Sequence, residues 1–395
     1  MSANTVSHRG TFVFSKIERV VYGQPAAETA RAEADRLDAR RVFLMVSRTM
    51  NRTTDEVQKM RTSLGDRYAG LYDEMPSHTP RDAVIEAANA ARAAGADLVV
   101  TFGGGSLTDG GKMVRLCLQH NIDRADGLDA FRARTMGDGR KAATDYEGPR
   151  IPQMAIPTTL SAGEFNASAG CTDTRRNVKE GYRHAQMIPA VIVLDPVPTV
   201  HAPLSVFLST GIRALDHAVE GFCSGKSNPA SDGLFLHAVK LLALGLPRVR
   251  RDAGDLDARL QCQLAMWVAM AARQAGAPMG ASHAIGHVLG GTCGVAHGFT
   301  SCLMLPHVMR YNRSVNADLQ AQVAEAMGHK GEDAADVISA FVAELGLPGR
   351  LSEVGVTRDR FQTIAEHCMH EDWTPQNPRR IDSPQQIVEI LDAAA

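Results

Sequence analysis

A chain of 395 residues, 44% hydrophobic and 22% charged, is long enough for two cores and has the composition of an ordinary globular protein. Its formal net charge of −2 gives no electrostatic reason to expect nucleic acid or an anionic membrane as a partner. Seven scattered cysteines (Cys117, Cys171, Cys223, Cys262, Cys293, Cys302, Cys368) form no Cys-x-x-Cys pair, which argues against a disulfide framework or zinc ribbon and for a reducing compartment.

The start, Met1-Ser2-Ala3-Asn4-Thr5, is polar, and no run reaches the ~20 apolar residues of a membrane helix. A cytoplasmic location is therefore expected. Residues 12–14 and 19–22 read as short β-runs, followed by an alanine-rich helix from Pro25. Val42-Phe43-Leu44-Met45-Val46 reads as a buried strand, and a helix is predicted to begin near Thr53 or Thr54. From Pro80 to Ala94 the spacing of Val84, Ile85, Ala88 and Ala91 predicts a helix ending at Gly95, before a strand at Leu98–Phe102. Residues 120–150 have little periodicity and read as a surface excursion. Strands are predicted near Gln153–Ile156 and Ala190–Leu194. Such alternation implies a parallel sheet covered on both faces. After Asp195-Pro196-Val197-Pro198 the pattern turns helical, over 205–224, 229–246, 255–275, 281–290, 316–328 and 333–345. The expected plan is an α/β dinucleotide-binding, Rossmann-like domain (1–198) and an all-α domain (199–395). The terminal alanines read as a frayed helix end at most.

Gly103-Gly104-Gly105-Ser106 falls between a predicted strand and a predicted helix. Glycines allow the backbone to approach a phosphate, and N–H groups at a helix start point toward an anion. Ser106 and Asp109 have capping-box spacing. Gly110-Gly111-Lys112 is not a P-loop, because Ser106 stands where a glycine is required and Met113 where a magnesium-binding hydroxyl is required. A plain tight turn is the alternative.

Four of the 14 histidines, His283, His287, His297 and His307, lie within residues 283–307, where uniform scatter gives roughly one. His283 and His287, four apart, share a helix face. A glycine-rich turn, Gly290-Gly291 to Gly294, could fold His297 back beside His283. Such a face binds a divalent metal or moves protons near neutral pH. His307, within Leu305-Pro306-His307-Val308, reads as a packing residue.

These segments also resemble one family. Gly103-Gly104-Gly105-Ser106-Leu107-Thr108-Asp109-Gly110-Gly111-Lys112 is similar to the GGGSxxDxxK motif of the iron-containing alcohol dehydrogenases. Ile156-Pro157-Thr158-Thr159-Leu160-Ser161-Ala162-Gly163-Glu164 resembles their second cofactor segment. The run Gly280-Ala281-Ser282-His283-Ala284-Ile285-Gly286-His287, continued to His297 and His307, resembles their main signature, and Asn377-Pro378-Arg379-Arg380-Ile381 their tail. The resemblance implies NAD or NADP bound in the first domain and an active site in the cleft between the two. It places Gly104, Gly105 and Ser106 at the pyrophosphate and Asp109 near the nicotinamide. Thr158, Thr159 and Ser161 would line the cofactor, and Lys179 would reach its ribose. Ser47 stands where an acidic residue often holds the adenosine ribose, with Arg48 beside it, so NAD and NADP both stay open. A homodimer is common among similar proteins.

In metal-bearing members the ligands are one Asp and three His. The histidines map to His217, His283 and His297, with His287 the further histidine near hydride transfer. The Asp position is Arg213, within Gly211-Ile212-Arg213-Ala214-Leu215-Asp216-His217. Asp216 points about 100° away from His217 on the helix and reads as a poor substitute. A guanidinium cannot ligate a cation. It can replace the charge, binding a substrate carboxylate or a developing oxyanion. Maleylacetate reductases also lack this Asp and work without a metal. The run Leu160-Ser161-Ala162 and the segment His78-Thr79-Pro80 look like that branch, although its members usually carry a residue other than Arg at this position.

The expected reaction is hydride transfer from NAD(P)H to a small carboxylated enone or carbonyl compound, with no metal. Arg213, His217, His283, His287 and His297 form the catalytic set. One alternative is an alcohol dehydrogenase or aldehyde reductase with iron or zinc on His217, His283 and His297. Others are a lyase of dehydroquinate-synthase type and a dinucleotide-binding protein without catalysis.

Overall fold

The computed structural model describes residues 11–135, 141–176 and 178–395. The polar start Met1–Thr5 and part of the 120–150 excursion lie outside the described residues. Two compact units share the chain. A sheet unit comprises Lys16–Gly211 and Arg248–Leu264; a helical unit comprises Ile212–Pro247 and Ala265–Ala395, with a short piece ending at Ser15. A division at Pro198 does not coincide with these units. Arg259 donates to the Thr199 carbonyl at 2.9 Å, and Gln263 donates to that of Asp195 at 3.2 Å. These bonds tie 248–264 to the strand-to-helix connection.

The sheet unit contains, in order, β1 (Arg19–Tyr22), α1 (Ala26–Arg36), β2 (Val42–Val46), α2 (Arg48–Thr53), α3 (Glu56–Leu64), β3 (Tyr68–Tyr72) and α4 (Arg81–Ala93). There follow β4 (Leu98–Gly103), α5 (Gly105–Gln119), the short β5 (Arg134–Thr135) and β6 (Lys141–Ala142), then β7 (Gln153–Pro157), β8 (Ser168–Asp173), β9 (Val178–Arg183) and β10 (Val191–Leu194). Six strands pair in parallel in the order β1-β10-β7-β4-β2-β3. Along β2 and β4, Phe43, Met45 and Val99 pack in one core with residues of α4 and α5. Val42, Leu44, Val46, Leu98, Val100 and Phe102 pack in the other with residues of α1 and α3. Successive side chains point to opposite faces. With both faces covered, β2 reads as an unbroken apolar run and β4 as one interrupted only by Thr101.

Several expectations need correction. Residues 12–14 form no strand, and Phe14 is 82% exposed. Thr53 ends α2 rather than starting a helix, and α3 begins at Glu56 after the extended residue Thr54. The 120–150 excursion carries a 3-10 turn at Ala125–Ala130 as well as β5 and β6. The sheet unit also holds features that had no expectation: α2, β3, and the antiparallel hairpin of β8 and β9.

The helical unit is built from α6 (Leu204–Cys223, whose first turns belong to the sheet unit), α7 (Pro229–Arg251, whose last turn does too), α8 (Leu256–Arg273, whose first half, to Leu264, does too), α9 (Ala281–Cys293), α10 (His297–Ala326), α11 (Ala334–Glu344), α12 (Phe361–Cys368) and α13 (Pro384–Ala393). The helix expected to start at 316 is the second half of α10. Asn316, with φ −145° and ψ 31°, kinks that helix, and Pro306 sits inside its first half. A proline normally reads as a breaker, which hid the stretch from 297. Ile285 and Leu289 of α9, Leu303 and Met304 of α10, Ile364 of α12 and Ile387 and Ile390 of α13 share one core, which fixes α9 in place. Among the described residues no helix is long and apolar enough to cross a membrane.

Candidate active site

In the sheet unit, β4 ends at Gly103 and α5 starts with Gly104 at its cap position and no side-chain cap. A helix start left uncapped offers its N–H groups to an anion. The expected capping box does not form, because Ser106 already lies inside α5. Its hydroxyl accepts the His78 N–H at 3.1 Å, and Asp109 Oδ2 accepts the Gly170 N–H at 3.1 Å.

The second segment closes over this loop. Thr158 N–H donates to the Gly103 carbonyl at 3.0 Å, and Thr159 Oγ1 lies 3.3 Å from Ser161 Oγ. A Cβ on Gly105 would sit 2.9 Å from Ser161 Oγ, so only glycine fits that approach without moving Ser161. Ser47 lies beside Gly103, its N–H donating to Phe102 O at 3.1 Å. The Lys179 stem crosses Gly170, whose N–H binds Asp109. The nine cofactor residues expected from sequence thus lie around the carboxyl end of β4 and the start of α5. Arg48 is ion-paired with Glu74.

Ala162 adopts a left-handed conformation with φ 63°. An L-residue there costs about 1–2 kcal/mol, while glycine adds unfolded-state entropy of about 0.4–1 kcal/mol. Ala162→Gly should therefore raise stability by about 0.5 kcal/mol, measured as a higher urea midpoint at unchanged slope. A lower midpoint would mean that packing of the buried methyl outweighs the strain.

In the helical unit, Asp216, His217 and Glu220 follow Arg213 on α6 by three, four and seven positions, and all four are buried. Asp216 was expected to point away. Three positions on from Arg213 it turns only about 60° from it, and its Oδ2 accepts Ser282 Oγ at 2.8 Å and lies 3.4 Å from His283 Nδ1. Arg213 is 6% exposed, and its Nη1 lies 3.4 Å from Ser301 Oγ. The His217 and His283 rings are 4.7 Å apart.

Glu220, which sequence reasoning missed, organises the start of α9. Its Oε2 accepts the Gly280 N–H at 3.0 Å and faces His283 Nδ1 at 2.7 Å, while Oε1 accepts the Ser282 N–H at 2.8 Å. Asn377, from the tail segment, accepts the Ala281 N–H at 3.1 Å. The first N–H groups of α9 are thereby satisfied, and the Glu220 charge sits favourably at a helix start. With Nδ1 facing a carboxylate, His283 carries its proton there. His283 Nε2 and His217 Nδ1 are buried without a partner.

Burial, the largest cause, pushes His283 well below the usual histidine range, helped by the charges of Arg213 and Arg273. Burial does the same to His217, reinforced by His283 and Arg213. Both rings are neutral at pH 7. Burial raises Asp216 well above the carboxylate range, with Glu220 adding to it and Ser301, Ser282 and Arg213 opposing. His287 is half-buried, its Nδ1 3.0 Å from Glu371 Oε2, and Trp373 lies edge-on to both His283 and His287 at 6.0 and 5.8 Å. His297 begins α10, its Nδ1 near Gly290.

Among the described residues His217, His283 and His297 do not form a group whose ligand atoms all lie within 4.8 Å; Asp216, Glu220 and His283 do. Glu220 is already engaged by three N–H donors, and a permanent cation, Arg213, lies in the same cluster.

Two family models match the chain: "Iron-containing alcohol dehydrogenase" over residues 18–196 and "Fe-containing alcohol dehydrogenase family, C-terminal" over 207–395. Among curated relatives, dehydrogenase FUM7 of Gibberella moniliformis is 33% identical, with 95% of this chain and 96% of that protein covered. Maleylacetate reductase 2 of Cupriavidus pinatubonensis is 30% identical over 95% and 94%. The crystal structure of maleylacetate reductase from Agrobacterium tumefaciens superposes with a TM-score of 0.80 at 25% identity, covering 98% of each chain.

Proposed function

This chain belongs to the iron-containing alcohol dehydrogenase family and is an NAD(P)-dependent oxidoreductase, and from that premise we propose that it reduces a small carboxylated enone or carbonyl compound without a metal. The observation that carries the reading is the buried guanidinium of Arg213, at the position of the metal-binding aspartate, beside His217 and His283. The likeness to maleylacetate reductases supports the substrate class.

The reduced dinucleotide would supply a hydride. What this chain adds is charge and orientation. Hydride delivery to a conjugated carbon or a carbonyl leaves a negative oxygen, and a fixed, desolvated cation stabilises that charge far better than water does. The planar fork of Arg213 also matches a substrate carboxylate. Neutral His217, with its proton on the open Nδ1, would donate to the acceptor's oxygen, His283 Nε2 would accept from a hydroxyl or protonated group beside it, and His297 would complete the polar set. Half-exposed His287, held by Glu371, would pass the proton that completes the reduction. Thr158, Thr159, Ser161 and the glycine loop would hold the dinucleotide.

Elemental analysis of purified protein, with NAD(P)H oxidation across carboxylated enones, oxoacids and aldehydes before and after EDTA, tests the reading. The expected result is metal far below one per chain and turnover unchanged by chelation. Stoichiometric iron or zinc with EDTA-sensitive turnover would establish the metal-dependent alcohol dehydrogenase instead. Dinucleotide binding without oxidation of any acceptor would point to a non-catalytic role.

A further inference from the structure

We infer that Glu164 is a proton-linked positioning residue of the dinucleotide site, its carboxyl taking up a proton when the cofactor's pyrophosphate docks at the start of α5. The inference rests on the dinucleotide reading above and adds to it a residue and a pH dependence.

Glu164 follows Gly163 in the segment that closes over the glycine loop. It is fully buried, and neither carboxylate oxygen accepts a hydrogen bond from another side chain. Buried polar groups are normally paired, and an unpaired one calls for a reason. The nearest cation explains why pairing fails. The ammonium of Lys112, also fully buried, donates to Asp109 Oδ1 at 3.3 Å and to the carbonyls of Gly163 and Ser168 at 2.7 Å each. An ammonium has three hydrogens, and all three are engaged. Lys112 thus ties α5 to both ends of the 163–168 turn, and Glu164 is left beside that anchor with a charge it cannot share.

The charged groups acting on Glu164 are Lys112 and Asp109, both from α5. Arg115, also on α5, acts on Lys112. On β8 the Cys171 thiol acts with Asp109 rather than with Glu164, and burial keeps it neutral. Burial pushes the Glu164 carboxyl up to about 7, with its own backbone N–H and Lys112 opposing and Asp109 reinforcing. An ionised Glu164 gives the Asp109, Lys112 and Glu164 group a net negative charge beside the first two turns of α5. A docking pyrophosphate is doubly negative, so it binds more tightly to the form in which Glu164 is neutral. By linkage, the bound cofactor in turn favours the proton.

The sign follows directly. Wild-type affinity for NADH, or for NADPH if that is the form bound, should be greatest below pH 7 and fall as pH rises through 7 to 8. A one-unit rise of the Glu164 pKa on binding makes this about tenfold. Glu164→Gln is neutral at every pH, so its dissociation constant should stay near the wild-type low-pH value throughout. Fluorescence titration of both proteins between pH 6 and 8.5 reads this, after circular dichroism has shown that the variant is folded. Calorimetry of the wild type at pH 7 in buffers of different ionisation enthalpy should show net proton uptake on binding. Equal pH dependence in the two proteins, or no proton uptake by the wild type, would overturn the inference. A wild type that binds no dinucleotide at any pH would instead remove the reading beneath it.

Discussion

Arg213→Asp should lower turnover of a carboxylated acceptor by roughly 10²–10³-fold, the usual loss when one oxyanion-stabilising group is removed. The effect should fall mainly on kcat for the carbonyl or enolate charge and on KM for the carboxylate. An acceptor without a carboxylate should lose less. Arg213→Lys keeps the charge without the planar fork, and should recover kcat more than KM. The variant should also acquire metal affinity. The substitution removes the buried cation of the cluster and adds a carboxylate to a site that already holds Asp216, Glu220, His217 and His283. Zn²⁺ should therefore raise the melting temperature of Arg213→Asp and leave that of the wild type unchanged. Unchanged turnover in both variants, measured on the same acceptors, would mean that the side chain at 213 is idle.

How much of this could be read from the chain depended on whether the signal was local. The β2 and β4 runs were legible because burial on both faces leaves Thr101 as the one polar residue in them. β3, Tyr68–Tyr72, was not, because its residues are only half-buried. The β8–β9 hairpin alternates buried and exposed positions, but its glycines and charged residues masked that period. At the glycine loop, residue order was enough to collect nine neighbouring residues. In the helical unit it was not. Arg213 and His217 share a face by spacing alone, whereas the tie from Glu220 to the start of α9 spans 60 residues and that from Asn377 spans 96. Glu220 did carry a signal, since positions 213, 217 and 220 recur at helical spacing. Glu371 and Trp373 carried none, since they meet His287 only through the folded chain. The capping box failed because spacing cannot tell a cap from the second residue of a helix already begun at Gly105.

Glu220 is the position where substitution should cost most in stability. Glu220→Ala would strip the acceptor from three buried donors, the N–H groups of Gly280 and Ser282 and Nδ1 of His283. Each orphaned donor costs about 1–3 kcal/mol. A cavity of about 10 Å³ bordered by Glu220, Gly280 and Asn312 has room for roughly one water, which can repair one of the three. A net loss of about 3–5 kcal/mol is expected, read as a drop in the urea midpoint. Glu220→Gln separates stability from chemistry. Its carbonyl can take the place of Oε1 and keep the Ser282 bond. Its amide then faces His283 Nδ1, and the ring adapts by moving its proton to Nε2, so that the Gly280 donor alone is lost. The stability cost should then be only about 1–2 kcal/mol. Yet Nε2 would now donate where it previously accepted, and turnover should fall by roughly 10–100-fold, as when the partner orienting a functional histidine is removed. Nitrogen chemical shifts of His283 would report the tautomer directly. A variant with normal turnover and the proton on Nε2 would show that the orientation of this ring does not matter to the reaction.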